Sequence, residues 1–311
     1  MEQPTITEFR GIYAANICPL HADYTVDELA LARHVESIAT TPGITGFLTN
    51  GHAGEIFSTD RVEKRRILEI VREAVGRKPQ IIAGVCSENS LEAATQARDA
   101  EAAGADAILI FPPFSWALSR DKRVVVAYHR TIIEATGLPI MLYGAPVSSG
   151  VLAYEPELWT ELVQLPRVAG IKEGSWETAR YDANRRLIQK IAPHVAVMAS
   201  GDEHLLTCFV LGTEGSQVSI AAIIPDTVVT LYDAVRRGDL ATAREIHNII
   251  YPLAKAIYGT HPGGHATARI KACLKILGRL SNDTARPPIG SLDADEHAIL
   301  NEALRQSGLV K

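Results

Sequence analysis

The chain has 311 residues, of which 47% are hydrophobic and 22% are charged, and its formal net charge is −5. This composition is typical of a globular protein, and the negative charge argues against nucleic acid or an anionic membrane surface as a partner. No apolar run is long enough to span a bilayer, and residues 1–5 lack the basic and apolar regions of a secretory signal. Four cysteines without metal-type spacing indicate free thiols, no bound metal and a cytoplasmic protein.

Short apolar strands alternate with amphipathic helices over the first 238 residues. The predicted strands span residues 11–15, 44–49, 81–85, 107–110, 139–143, 168–171, 195–199 and 215–220. The intervening helices are predicted near residues 25–40, 59–75, 90–104, 120–137, 156–165, 178–191, 204–211 and 225–238. The first helix is expected to open with a capping box formed by Thr25 and Glu28.

Eight strand–helix units in about 230 residues predict an α/β protein with a closed, parallel (β/α)8 barrel, the TIM barrel. An open, doubly wound sheet is the alternative, but residues 16–20 after the first strand contain no glycine-rich nucleotide loop. Helical patterns at 240–258, 265–277 and 295–306 follow. We therefore expect a barrel over residues 1–238 and a C-terminal extension of three helices over 239–311, packed on the barrel.

Lys172 is the main candidate catalytic residue. It ends a buried strand, and strand alternation puts its side chain on the same side as Gly170. If that side faces the barrel interior, burial lowers the lysine pKa, and a neutral amine can attack a ketone to form an imine. A lysine at a strand end can instead extend its charge to solvent, which is the more common arrangement.

Three other segments lie at the same edge of the predicted barrel, where such barrels carry their active sites. Tyr143 follows the fifth strand and can transfer the protons that imine chemistry requires, or it can simply pack. Residues 51–54 follow the second strand, and the two glycines suit backbone N–H groups that approach an anion. Asp202 and Glu203 follow the seventh strand and either line the barrel mouth or cap the next helix.

These residues resemble those of the dihydrodipicolinate synthase / N-acetylneuraminate lyase family of class I (Schiff-base) aldolases. The resemblance covers nearly the whole chain and rests on Gly-Ile-Lys-Glu-Gly-Ser around Lys172, on Tyr-Gly-Ala-Pro from Tyr143, and on Gly51–Glu55. It implies a barrel that binds pyruvate or another 2-oxo acid as an imine on Lys172. It further implies that Tyr143 shuttles protons and that the loop of Gly51, His52, Ala53 and Gly54 binds the carboxylate.

The sequence departs from this family pattern at several positions. His52 and Ala53 replace two hydroxyl residues of the loop, so His52 is expected to bind the carboxylate or to act as an acid/base near neutral pH. Ser115 falls where a tyrosine reaches across the dimer in the synthases. Ser148 replaces an arginine that binds the aldehyde partner's carboxylate, and Gln217 is a polar residue at a usually apolar position that could contact the second substrate.

The sequence therefore predicts a Schiff-base-forming lyase that acts on pyruvate or another 2-oxo acid by aldol cleavage or condensation, but not a true dihydrodipicolinate synthase. Two alternatives remain open: a 2-keto-3-deoxy sugar acid dehydratase or aldolase, and a catalytically silent barrel that binds a small acid. No cofactor is expected, and a metal site at His261 and His265 is disfavoured for lack of further ligands. By family resemblance the protein is expected to form a homodimer or homotetramer.

Overall fold

The computed structural model describes residues 8–118 and 120–311; residues 1–5, from which the lack of a secretory signal was inferred, lie outside these ranges. Eight parallel strands close into a barrel in chain order, with β8 paired to β1. The strands are β1 Gly11–Ala15, β2 Ile44–Thr49, β3 Gln80–Val85, β4 Ala107–Ile110, β5 Ile140–Gly144, β6 Val168–Glu173, β7 Ala196–Ala199 and β8 Gly215–Val218. The predicted TIM barrel is confirmed.

Eight helices surround the strands, and each follows the strand of the same number. They are α1 Glu28–Ala39, α2 Arg61–Val75, α3 Ser90–Ala102, α4 Lys122–Glu134, α5 Pro156–Leu162, α6 Thr178–Ile191, α7 Leu205–Leu211 and α8 Pro225–Arg236. Because the strands are buried on both faces, most of them consist of nearly continuous apolar residues, whereas β8 contains the buried polar residues Ser216 and Gln217.

The predicted capping box at the start of α1 is wrong. The hydroxyl of Thr25 donates to the Asp23 carboxylate (2.6 Å) in a tight turn, so Asp27 caps the helix and accepts a hydrogen bond from the Ala30 N–H (2.9 Å). A capping box occurs instead at α2, between Asp60 and Glu63. Several polar residues before α1 and before α2 could each serve as the N-cap. The hydrogen bonds of the preceding turn determine which of them does.

Three further helices complete the fold: α9 Leu240–Tyr258, α10 Ala266–Ile276 and α11 Ala294–Gln306. Helix α9 packs against α8, and α10 contacts the 3₁₀ turn His52–Gly54 at the barrel mouth. The predicted C-terminal extension is therefore present, and its middle helix reaches the edge where the strands end. The division of the chain into a barrel over residues 1–238 and an extension over residues 239–311 stays a prediction. None of the described helices is both long and apolar enough to cross a membrane.

Candidate active site

Lys172 lies at the carboxyl end of β6 and points into the barrel. Gly170, on the same face, is so close to the barrel interior that a Cβ atom there would lie 2.6 Å from Met141 Cε. The Lys172 side chain is buried, with 8% exposure, and its ammonium has no hydrogen bond or ion pair within the described residues. Another buried lysine, Lys271, shows the contrast, because it pairs with the Glu55 carboxylate and donates to the Thr284 carbonyl (2.8 Å).

Burial lowers the pKa of Lys172 from 10.5 to about 8, and the nearby Asp202 carboxylate opposes this shift. The shift corresponds to a penalty of about 3 kcal/mol on the charged form. About one molecule in ten then carries a neutral amine at pH 7. The site therefore supplies a nucleophilic amine near neutral pH, which an exposed lysine would not.

Tyr143 is the neighbour of Lys172 in the paired strands β5 and β6. The Lys172 Nζ atom lies 5.9 Å from the centroid of the phenol ring. Burial raises the pKa of Tyr143 well above its usual range, and the charge of Glu173 adds to this effect. The phenol stays protonated at neutral pH, and its hydroxyl bonds to no other described side chain. It can therefore donate a proton to a substrate and take it back.

The loop after β2 forms the 3₁₀ turn His52–Gly54. Within the described residues, the N–H groups of His52 and Ala53 donate to no acceptor, whereas the Gly54 N–H donates to the Gly51 carbonyl (3.0 Å). Two adjacent backbone donors are thus available to an anion at the edge of the cavity. The binding of a carboxylate by the loop of Gly51, His52, Ala53 and Gly54 stays a prediction, and the two N–H groups without an acceptor belong to His52 and Ala53.

The His52 imidazole is enclosed by aromatic rings. Its centroid lies 4.6 Å from that of Phe111, 4.9 Å from that of Phe57 and 5.2 Å from that of Tyr143. Burial lowers its pKa to about 3, and the positive charge of Lys172 contributes. Both influences oppose the titration near neutral pH that the sequence suggests, and a neutral His52 ring can still donate one hydrogen bond.

A second polar group, the Asp202 carboxylate, lies in the turn after β7, the strand paired with β6. The Asp202 carboxylate accepts hydrogen bonds from the Ile220 N–H (2.7 Å) and from the Ser219 hydroxyl (3.4 Å), and Ser219 also contacts the Tyr258 hydroxyl. Burial raises the pKa of Asp202 to about 6. Asp202 thus caps the turn after β8 and places a negative charge near Lys172.

Sequence reasoning did not identify Tyr258 or Trp176 as site residues. Their rings pack against each other, with centroids 5.0 Å apart, and both line the cavity above the barrel. Trp176 follows Lys172 by four residues in a loop at the barrel edge, a position that could have identified it. Tyr258 ends a helix that the sequence places outside the barrel, and no local pattern shows that this helix end returns to the mouth.

The cavity at the barrel mouth has a volume of ≈ 980 Å³. Ser148 lines it, as do His52 and Tyr143. Gln217 does not line it: the side chain lies inside the barrel, where its Nε2 atom is 2.9 Å from Met141 Sδ. Its contact with a second substrate stays a prediction that this position does not support.

Of the two histidines considered as metal ligands, His265 directly precedes α10 and His261 lies four residues earlier in the segment after α9. His265 pairs with the Glu296 carboxylate, with Nδ1 3.2 Å from Oε1. No group of three or more metal-binding side chains occurs within residues 8–118 and 120–311.

A model of the dihydrodipicolinate synthetase family matches residues 8–307. A 4-hydroxy-tetrahydrodipicolinate synthase of Methanococcoides burtonii is 30% identical over 305 residues, which cover 97% of this chain and 100% of that protein. The enzyme of the same name from Nitrobacter hamburgensis is 31% identical over 306 residues, with 98% of each chain covered. Among solved structures, YagE from E. coli K12, a prophage protein of the same family in complex with pyruvate, superposes with a TM-score of 0.89 at 25% identity, covering 98% of this chain and 100% of YagE.

The barrel and these relatives together show an enzyme, a lyase of the class I aldolase type. The chain belongs to the dihydrodipicolinate synthetase family.

Proposed function

We propose that this enzyme forms an imine between Lys172 and pyruvate or another 2-oxo acid, and that it cleaves or forms a carbon–carbon bond next to that imine. The observation that carries the proposal is the buried, unpaired ammonium of Lys172, with a pKa lowered to about 8, beside the phenol of Tyr143. Lys64 on α2 is equally buried and also makes no hydrogen bond or ion pair through its ammonium within the described residues, so the phenol beside Lys172 at the barrel mouth is what distinguishes the candidate nucleophile.

Each remaining group has a role in this scheme. The N–H groups of His52 and Ala53 would bind the carboxylate of the 2-oxo acid, with the neutral His52 ring as a further donor. Tyr143 would protonate the leaving hydroxyl of the carbinolamine and later move the proton of the bond-forming carbon. The imine nitrogen then accepts the electrons of the carbon–carbon bond that breaks.

We further propose that the second substrate is not aspartate semialdehyde, the substrate of the true synthases. Ser148 lines the cavity at the position where those synthases carry an arginine, and a serine cannot form the two parallel hydrogen bonds of an arginine with a carboxylate. Loss of such a charge-assisted pair costs about 2–5 kcal/mol of binding.

The test is a steady-state assay with pyruvate and aspartate semialdehyde, applied to the natural enzyme and to Ser148→Arg. We expect kcat/KM of the natural enzyme to fall below about 10⁴ M⁻¹s⁻¹, the low end of competent enzymes. Ser148 is exposed, so an arginine fits there, and the variant is expected to bind aspartate semialdehyde more tightly. A natural enzyme that exceeds this value would show that it is a true synthase.

We also propose an oligomeric state and a cellular compartment for this enzyme. We expect a homodimer or homotetramer in solution, which sedimentation analysis would determine. The four cysteines are unpaired thiols in the structure, which supports a reducing compartment such as the cytoplasm.

A further inference from the structure

A continuous series of aromatic rings leads from the candidate nucleophile to the cavity mouth. It begins at Tyr143, beside Lys172, and passes to Phe111, with ring centroids 4.7 Å apart. Phe111 contacts His52, which contacts Phe57, and Phe57 contacts Phe114 at 4.6 Å. We name these five rings, Tyr143, Phe111, His52, Phe57 and Phe114, the aromatic wall.

The outer end of the aromatic wall is open to solvent in the single chain. Phe57 is 50% exposed and Phe114 is 52% exposed, although both rings line the cavity. The loop that carries Phe114 is held in place, because the Glu88 carboxylate accepts hydrogen bonds from the N–H groups of Phe114 (2.8 Å) and Ser115 (3.0 Å). Two phenyl rings fixed at a cavity mouth are a surface on which an apolar, planar molecule can pack.

The charged groups that line the same cavity are already paired with the protein. Arg286 uses all five of its N–H donors: the guanidinium bonds to the Tyr24 carbonyl through Nε and Nη2, to the Ser58 carbonyl through Nη1, and to both oxygens of the Glu63 carboxylate. The Glu55 carboxylate pairs with Lys271 and accepts the Arg286 N–H (3.1 Å).

His52 is neutral because its pKa is lowered to about 3. Among the described residues that line the cavity, Arg286 is the one that carries a fixed positive charge. A charged second substrate would therefore lose its hydration without gaining a free partner of opposite charge.

We propose that the outer half of this cavity is the acceptor subsite of the enzyme and that it takes a neutral aromatic aldehyde, packed on Phe57 and Phe114. This inference rests on the proposed imine at Lys172. In the condensation, the imine of pyruvate loses a proton from its methyl carbon to a base of the site, and that carbon forms a bond to the aldehyde carbon. The aldehyde oxygen takes a proton and becomes a hydroxyl, and water then hydrolyses the imine and restores the Lys172 amine.

The size of the cavity agrees with this assignment. A volume of ≈ 980 Å³ is far more than a bound pyruvate unit fills, and it lies at the upper end of the range for small-molecule sites. Two further aromatic rings, those of Trp176 and Tyr258, line the same cavity and pack against each other. The hydroxyls of Ser148 and Ser149 also line it, so a small polar aldehyde is the competing substrate that the test must include.

The test compares three aldehydes with pyruvate in the full-length enzyme: benzaldehyde, glyceraldehyde and aspartate semialdehyde. Initial rates of product formation are measured by chromatography. We expect kcat/KM for benzaldehyde to exceed the other two values by about tenfold or more, as the packing of one ring on aromatic side chains allows. A higher value for glyceraldehyde or for aspartate semialdehyde would overturn the inference.

Two variants in one loop locate the subsite. Phe114→Ala is expected to raise KM for benzaldehyde about tenfold and KM for glyceraldehyde less than about twofold. Leu118→Ala is the matched control, because Leu118 is 91% exposed, lies four residues further along and does not line the cavity. Leu118→Ala is expected to leave KM unchanged for both benzaldehyde and glyceraldehyde. Equal effects of Phe114→Ala on both aldehydes would contradict the assignment.

A separate measurement distinguishes this inference from the proposed function. The enzyme is incubated with pyruvate and borohydride in the absence of any aldehyde, and adduct formation is followed by mass spectrometry. If the adduct forms but benzaldehyde is not preferred, the acceptor assignment is wrong and the imine proposal stands. If no adduct forms with any 2-oxo acid, both are wrong.

Discussion

The properties of Lys172 follow from two opposing influences on one ammonium group. Burial disfavours the charged form, and the Asp202 carboxylate favours it. The pKa of about 8 therefore stays above 7, so most of the Lys172 side chains remain charged at neutral pH. The sequence places Asp202 after the seventh strand, either at the barrel mouth or as a cap of the next helix, but it does not show that the carboxylate lies close enough to Lys172 to raise its pKa.

The rate of imine formation is expected to depend on this balance. Only the neutral amine attacks, so the rate with pyruvate should rise with pH and level off above an apparent pKa of about 8. Asp202→Asn removes a negative charge that raises the pKa of Lys172, so the rise should move to lower pH. Asparagine keeps the acceptor oxygen for the Ile220 N–H.

The measurement is adduct yield after brief trapping over a range of pH. Glu203→Gln is the matched control: it neutralises the adjacent carboxylate, which pairs with Lys255 (3.7 Å), and it should leave the profile unchanged. Profiles of Asp202→Asn and the natural enzyme that coincide would show that Asp202 does not act on Lys172.

Tyr143 can be tested apart from Lys172, because the amine can form an imine slowly without an acid/base partner. We expect Tyr143→Phe to retain part of the adduct but to lose turnover by about 10²-fold or more, the usual contribution of a general acid or base. Tyr251→Phe on the outer face of α9, where the ring is 45% exposed, is the control and should keep full turnover. Normal turnover in Tyr143→Phe would remove the phenol from the mechanism.

At the scale of elements, helix α10 holds the loop that presents the two free N–H groups. The Thr267 hydroxyl donates to the His52 carbonyl (3.0 Å), and Lys271 pairs with Glu55, directly after the 3₁₀ turn. Both Lys271 and Glu55 are almost fully buried, with side-chain exposures of 1% and 4%. The candidate carboxylate site thus depends on a contact between residues more than two hundred positions apart, which no local pattern predicts.

Removing one member of this pair should destabilise the fold strongly. Lys271→Ala leaves the Glu55 carboxylate buried without its partner, and we expect a loss of about 3–5 kcal/mol in the free energy of unfolding, measured with urea. Lys275→Ala in the same helix is the control. Lys275 pairs with Asp283 (2.8 Å) but is 46% exposed, so its loss should cost about 1 kcal/mol or less. Similar losses in the two variants would contradict the structural role of the buried pair.

At the scale of the whole molecule, the barrel could be predicted because its signal repeats. Buried strands of four to six residues alternate with amphipathic helices, so an error of one or two residues at an element end, such as the start of α2 at Arg61 rather than near Thr59, does not change the topology. The neighbouring positions of Lys172 and Tyr143 could be predicted from this topology, since parallel strands end at one edge of the barrel.

The upper part of the cavity could not be predicted in this way. Its walls include Tyr258, at the end of α9, and Arg286, in the segment between α10 and α11. These residues reach the mouth through tertiary contacts of the C-terminal extension. The sequence identified the extension itself, but its periodicity shows only which face of each helix is apolar and not where the extension packs.

The most direct test of the central claim is reduction of the enzyme with borohydride in the presence of pyruvate, followed by mass spectrometry of tryptic peptides. The adduct should occur on Lys172, while the buried lysines Lys271 and Lys64 serve as internal controls and stay unmodified. Lys172→Ala should abolish it. An unmodified Lys172 with pyruvate and with every other 2-oxo acid tried would contradict the imine mechanism.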